Sequence, residues 1–503
     1  MSDPNKQKKV QVWGERMSEP PDLATVTYCA GRDVAERPMA DALLVPYDLW
    51  QNRAHVTMLA RQRIIEASAA RRILQALDDF EERWRAGKMK LDPQKEDVHI
   101  NIEHFVAACV GEQIAGKMHT ARSRNDQSAT VVRMFVRNEL LALGEDVCET
   151  VGAIVRVARQ HKNTVVAGLT HYQPASVTTF GHWFASYAQA LLRDVERIVT
   201  TYDRLNISPL GAAAAFGTSW PIDREFTARS LGFDTVQENS LDAITNRWEM
   251  EADAATNAAF LMTHLSIIAQ DLILLSQPHF GIVRLADRHT TGSSIMPQKR
   301  NPDFAEVTRA KAVVVQQLMT ALFGIARGLV SGYNRDTQWT KYLIMDIFAE
   351  TSSGPSVFRS VFETLAIDKE RALASATSHF VNAVDVADAL ARETNLSFRE
   401  AYKIISKAVR ECEKEGALSA HVVKALCGDH VEGLGDDALS CAPRDVVARK
   451  GHRGGPAPQA VEDNLRSLEA KRRELAKALG ARRKKLERAR ASLQAAIARL
   501  PKE

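Results

Sequence analysis

The 503-residue sequence is poor in the features that mark most specialised protein classes. No apolar run approaches the length of a membrane span, so no membrane partner is expected. The first residues, "MSDPNKQKKVQVWGERM", contain no apolar core of a secretory signal, which leads us to expect a cytoplasmic protein. Net charge is only +4 at this length, too small to argue for nucleic acid as a partner. Six cysteines (Cys29, Cys109, Cys148, Cys412, Cys427, Cys441) are scattered without CxxC or finger spacing. That pattern excludes a disulfide scaffold and suits reduced thiols. No cluster of His, Cys and carboxylate has ligand spacing, so no metal and no organic cofactor is expected. Internal repeats are absent, and alternating strand patterns are scarce through the middle of the chain.

What is present is helical periodicity. Leu261, Leu265, Ile268, Leu272 and Leu275 recur at spacings of four and three, as do Val132, Val136, Leu140, Leu143 and Val147. Each set forms one stripe along a long helix. "FASYAQALLRDVERIVTTYDRL" reads as a third such helix. The length allows about three domains. We expect an all-α protein: a mostly helical N-terminal domain over 1–122, a central long-helix bundle over 123–375, and a helical C-terminal domain over 376–503. The terminal stretch "KRRELAKALGARRKKLERARASLQAAIARL" is basic and amphipathic, without aromatics, and reads as a solvated helix rather than an RNA-binding arm.

Four segments invite a chemical reading. "GEQIAGKM" nearly spells a phosphate loop, but Met118 follows Lys117 where a hydroxyl is needed, so the match fails. "HTARSRNDQ" (119–127) gathers Ser123, Arg124 and Asn125 before a helix expected near Ala129. Asn125 or Asp126 could cap that helix, yet one residue suffices for a cap, and several donors at a helix start suit a carboxylate ligand. In "GLTHYQPASVTTFGHW", His171 lies between Thr170 and Gln173-Pro174, read as a helix start, and is an acid/base candidate. In "TTGSSIMPQKRNPDF" (291–305), Ser293 and Ser294 are donors in a flexible turn, Lys299 and Arg300 bring charge, and Asn301-Pro302 opens the next helix. Two readings stay open there: a mobile loop with Asn301 as helix cap, or a lid closing over an anion.

Together these segments resemble the fumarase/aspartase superfamily and, within it, the argininosuccinate lyase branch. "GSSIMPQKRNP" matches the superfamily's signature loop, and "HTARSRNDQ" is close to the branch's "HTGRSRNDQ", with Ala121 in place of glycine. "EDVHINIE", "ISPLG", "PIDRE", "YNRDTQ" and "SFREA" extend the likeness over most of the chain. The resemblance implies a homotetramer with a large central helical bundle and active sites shared between subunits. It implies elimination of fumarate from an N-substituted aspartate, with Ser293 as general base and Lys299 and Asn301 on the carboxylate that gains charge. His171 would protonate the departing nitrogen with Glu306 as its partner. Ser123, Asn125 and Thr170 would grip the succinyl carboxylates, and Tyr333, Gln338 and Lys341 the amino-acid half. The nearest enzymatic rival, an adenylosuccinate lyase, is disfavoured by "HTARSRNDQ".

Departures from the branch raise a question of substrate. Arg37, with Arg32 close by, aligns where a serine touches the arginine moiety, and Asn246 and Trp248 replace acidic residues. Gained cations and lost carboxylates favour an anionic distal group, such as that of ethylenediamine disuccinate. Argininosuccinate is the other expectation, and an inactive crystallin-like scaffold is the non-enzymatic one.

Overall fold

The apolar stripes become long helices in the computed structural model, which describes residues 19, 22–30, 39–432 and 436–501. Helices α1 (Val45–Arg61), α2 (Ala67–Arg85) and α3 (Val98–Val110) pack together near the N-terminus. Helix α4 (Arg124–Gln160) follows, then a hairpin of β1 (Val165–Thr170) and β2 (Gln173–Thr179), and α5 (Phe180–Leu205). Next come α6 (Arg247–Ser276), α7 (Asp303–Ala326), α8 (Thr340–Thr351) and α9 (Gly354–Thr364). Helices α10 (Ala383–Glu393) and α11 (Phe398–Glu411) share a small core of Val386, Leu390 and Ile405. The chain closes with α12 (Pro458–Ala498). Pairing is most extensive between α6 and α7 and between α4 and α5, and α12 lies against both α4 and α5.

Helix α12 departs from the solvated helix expected of it. Leu465, Leu468, Leu475, Leu479, Leu486 and Leu493 are buried at spacings of three, four and seven, a seam that inserts into the bundle. Its basic residues meet acids on the helices beneath: Arg483 pairs with Glu145 at 2.8 Å, Arg482 with Asp203 at 2.6 Å and Lys471 with Glu196 at 3.1 Å. Part of the positive run is thus matched inside the protein. At Gly144 of α4 an added Cβ would lie 3.1 Å from both methyls of Leu479, so the absent side chain sets how closely α12 approaches.

Helix α6 is long and apolar enough to cross a membrane by length and composition, contrary to the expectation from uninterrupted apolar runs. Its apolar character is spread between Asn257, Thr263 and His264, so no single run reveals it. Half of its most apolar stretch is buried in the bundle, as a core helix requires.

Replacing Leu479, fully buried between α4 and α5, with alanine should lower unfolding stability by about 3 kcal/mol. Urea unfolding followed by circular dichroism measures this; a loss under about 0.5 kcal/mol would return α12 to the role of a solvated tail.

Candidate active site

Helix α4 begins earlier than its sequence suggests. Ser123, not Asn125 or Asp126, is the N-cap: its hydroxyl accepts from Asn125 N at 3.2 Å, and the Asp126 carboxylate accepts from Ser123 N at 2.9 Å, closing a capping box. The same carboxylate accepts from Gly211 N and Ala213 N at 2.9 Å each. The loop before the helix is held by a buried polar network. Asp48 accepts from His99 Nδ1 at 2.7 Å, Gln127 Nε2 at 2.9 Å and Asn52 Nδ2 at 2.9 Å, while Asn52 Oδ1 accepts from the buried Arg122 at 2.5 Å. Burial works against a charged His99, but the adjacent Asp48 outweighs it and holds His99 above its usual range. Ala121 sits at φ 63°, a left-handed conformation that suits the glycine of the related motif.

This helix start opens on a cavity of about 160 Å³. Arg124 and Asn125 line it together with Tyr333, Gln338 and Lys341, so the structure joins the expected succinyl-gripping motif to the expected amino-acid contacts within one chain. Lys341 is buried and paired with Asp41 at 2.6 Å. Six lining residues escaped the sequence reading: Glu96, Asp97, His99, Ser128, Arg247 and Arg335. Glu96 receives Arg335 at 2.9 Å and Arg124 at 3.3 Å, and Asp97 receives Arg124 at 3.4 Å. The hydrogen bond from Arg335 holds the Glu96 carboxyl below the usual range. "EDVHINIE" was the available signal for the two acids, and Arg247 lay between the two positions already singled out. Those two positions do not line the cavity: Asn246 bonds to Asp242 at 2.7 Å, and Trp248 packs edge-on against Phe323. Arg32 and Arg37 lie outside the described residues.

His171 occupies the tip of the β1–β2 hairpin rather than a helix start; the helix that follows begins at Phe180 with Thr179 as its cap. Pro174 to Val177 lie within strand β2. His171 and Tyr172 take φ of 53° and 60°, the double left-handed geometry of a two-residue turn that normally selects Asn-Gly. Each non-glycine residue held so costs on the order of 1–3 kcal/mol, a strain met most often at functional positions. Thr170 and His171 are exposed and border a cavity of about 750 Å³, whose wall includes Ile267, Asp271 and Leu274 of α6.

The signature loop is closed at its base by a bridge between Thr291 and Asn301, with backbone hydrogen bonds of 3.1 and 2.8 Å. Asn301 therefore does not cap α7. That place falls to Pro302, which has no capping side chain, and the Asn301 amide donates to Thr291 Oγ1 and Gly292 O at 3.4 Å. Ser293 Oγ accepts from Ile295 N at 3.4 Å and Met296 N at 3.1 Å, the arrangement that would stabilise an alkoxide. Ser294 and Lys299 are exposed. Lys299, Asn301 and Glu306 border a third cavity, of about 1040 Å³, with Ile273 and Ser276 of α6.

Helix α6 measures the separation. Arg247 at its first turn lines the small cavity, whereas Leu274 and Ser276 near its end line the second and third. At 1.5 Å per residue these lie about 40 Å apart. One chain thus carries Asn125 at one end of the bundle and His171 with the signature loop at the other. Leu274 and Ile273 point to different faces of α6, so the second and third cavities are also distinct.

The profile of a family described as Lyase matches residues 48–317, and that of the argininosuccinate lyase C-terminal region matches 380–436. The argininosuccinate lyase of Desulforamulus reducens is 35% identical over 458 residues, covering 91% of this chain and 97% of its own. That of Thermus thermophilus is 38% identical over 462 residues, covering 90% and 97%. A crystal structure of EDDS lyase in complex with formate superposes with a TM-score of 0.85 at 27% identity, covering 96% and 97%. A fumarate lyase from Mesorhizobium sp., at 19% identity, a TM-score of 0.69, and 88% and 98% coverage, shares the fold.

Ala121→Gly relieves a left-handed alanine and should raise stability by about 0.5–1 kcal/mol. Thermal unfolding of the two proteins tests this, and an unchanged or lower midpoint would show that the loop gains nothing from the glycine.

Proposed function

The chain belongs to the argininosuccinate lyase branch of the fumarase/aspartase superfamily, fumarate-releasing carbon–nitrogen lyases, and from this we propose that it cleaves argininosuccinate to fumarate and arginine. The observation that carries the substrate is the small cavity itself. Glu96 and Asp97 stand at its wall and already bind guanidinium groups, those of Arg335 and Arg124, while Asn246 and Trp248, two of the positions that argued for an anionic substrate, face elsewhere. The argininosuccinate lyases are also more similar in sequence, at 35–38%, than the EDDS lyase structures, at 26–27%. An ethylenediamine-disuccinate lyase is therefore the weaker reading.

In the proposed reaction Ser293 Oγ, as alkoxide, takes a proton from the carbon beside a succinyl carboxylate. Two backbone N–H groups hold that oxygen. The electron pair left on carbon passes first into the carboxylate, where Lys299 and Asn301 offset the growing charge. It then returns to form the double bond of fumarate as the C–N bond breaks. The departing nitrogen receives a proton from His171, through water, with Glu306 as the histidine's partner. Ser123, Asn125 and Thr170 hold the succinyl carboxylates, with Arg124 and Ser294 as further donors. Tyr333, Gln338 and Lys341 hold the amino-acid half. Every step moves protons and electron pairs between these groups and the substrate, so the reaction calls on no cofactor.

The three clusters require more than one chain. We read the protein as a homotetramer in which each site takes the Asn125 cluster, the His171 hairpin and the signature loop from different copies. Helix α7 supports this: Ala310, Val313, Gln317, Thr320 and Gly324 are exposed along one side at alternating spacings of three and four. Val314 and Ala321 flank them. Such a face of small and apolar residues suits a helix–helix contact between copies. We place the enzyme in the cytoplasm, where its six free thiols stay reduced.

With argininosuccinate as substrate and fumarate absorbance as readout, the wild type should turn over. Ser293→Ala should lose roughly a thousand-fold or more in kcat with KM little changed. His171→Asn should also be slowed. No fumarate from the wild type would defeat the function, and wild-type kcat in Ser293→Ala would defeat the base assignment. Ser293→Ala and Asn125→Ala, each inactive alone, should regain turnover when unfolded together and reassembled. A mixture that stays inactive would argue that each site is built within one chain.

A further inference from the structure

One cation on the wall of the small cavity has no ion-pair partner among the described residues. Of the basic residues on its wall, Arg124 pairs with Glu96 and Asp97, Arg335 with Glu96, and Lys341 with Asp41. Arg247 is 4% exposed and makes no ion pair among the described residues. Its Nη2 donates to the Ser128 hydroxyl at 3.2 Å, and its Nε is buried without a partner. Glu251, one turn along α6, is the nearest source of negative charge, but burial pushes its carboxyl up to about 7, and its Oε2 is itself unpartnered. A guanidinium kept out of water without a full counter-charge is strongly unfavourable unless a ligand supplies one.

The surrounding dipoles point the same way. The cavity lies at the N-termini of two long helices, α4 at Arg124 and α6 at Arg247, and both present partial positive charge to it. Arg247 at the first turn of α6 opposes the dipole of its own helix, a placement that favours an anion in front of it.

Resting on the argininosuccinate reading, we propose that Arg247 is the specificity anchor for the carboxylate at the amino-acid end of the substrate, and for the same carboxylate of the arginine product. Two contacts set the end it serves. Its partner Ser128 lies one turn deeper along α4 than Asn125, away from the helix start assigned to the succinyl group. Tyr333, assigned to the amino-acid half, is close enough to raise the proton affinity of Arg247. The planar fork then binds the carboxylate in two-point fashion.

Binding of arginine and of agmatine, which is arginine without its carboxylate, measured by titration calorimetry on the assembled enzyme, isolates this contact. The wild type should prefer arginine by about ten-fold or more, and in Arg247→Met the preference should fall to within about two-fold. Inhibition by fumarate should stay as in the wild type. Arg247→Lys, which keeps the charge for folding but loses the fork, should retain only part of the preference. The proposal is overturned if Arg247→Met discriminates as the wild type does, if the wild type shows no preference, or if fumarate binding is lost instead. Failure of the wild type to cleave argininosuccinate would count against the function, whereas these affinity ratios decide the anchor.

Discussion

A rigid α-helix of 30 residues cannot bring its two ends together, and most of this protein's functional geometry follows from that fact. Helix α6 carries Arg247 into the small cavity at one end of the bundle and reaches the other two cavities about 40 Å away. Helix α4, with 37 residues, separates Asn125 from the His171 hairpin in the same way. The groups proposed for elimination therefore sit on elements that keep them apart within a chain. On the proposed reading, the stiffness of these helices makes assembly a condition of catalysis.

Each cluster has its own means of rigidity. The loop before α4 rests on Asp48, whose three donors leave it fully satisfied in a site with no access to water. The hairpin is pinned at its base where Gly181 lies against the end of α4; an added Cβ there would come within 2.5 Å of Lys162 Cα. The signature loop is held at its base by the Thr291–Asn301 bridge and by Arg300 on Leu285 O, with Ile295 standing 83% exposed beyond it. That exposure suits the proposed base, Ser293, which would approach carbon after the substrate is seated.

The long helices were legible because burial writes a period of three and four into α4, α5 and α6. The hairpin was not: His171-Tyr172 lacks the glycine or asparagine that normally marks its turn, and a six-residue strand offers too few alternations to read. Helix α12 was misread because its surface charge was visible and its partners, Glu145 and Asp203, lie some 300 residues away. Chemistry-bearing residue types in the motifs fall on cavity walls, but Arg247 could be placed beside them only once the ends of α4 and α6 were seen to converge. Asn246 and Trp248 illustrate the converse error, since proximity in sequence to a site residue placed neither in the site.

The central claim is that fumarate is made where ends of different chains meet. A crystal structure of the assembled enzyme with fumarate bound tests it most directly. The account predicts one fumarate in contact with Asn125 from one copy, His171 from a second and the loop carrying Ser293 and Asn301 from a third. Fumarate held entirely by one copy, or an assembly that leaves those residues tens of ångströms apart, would contradict it.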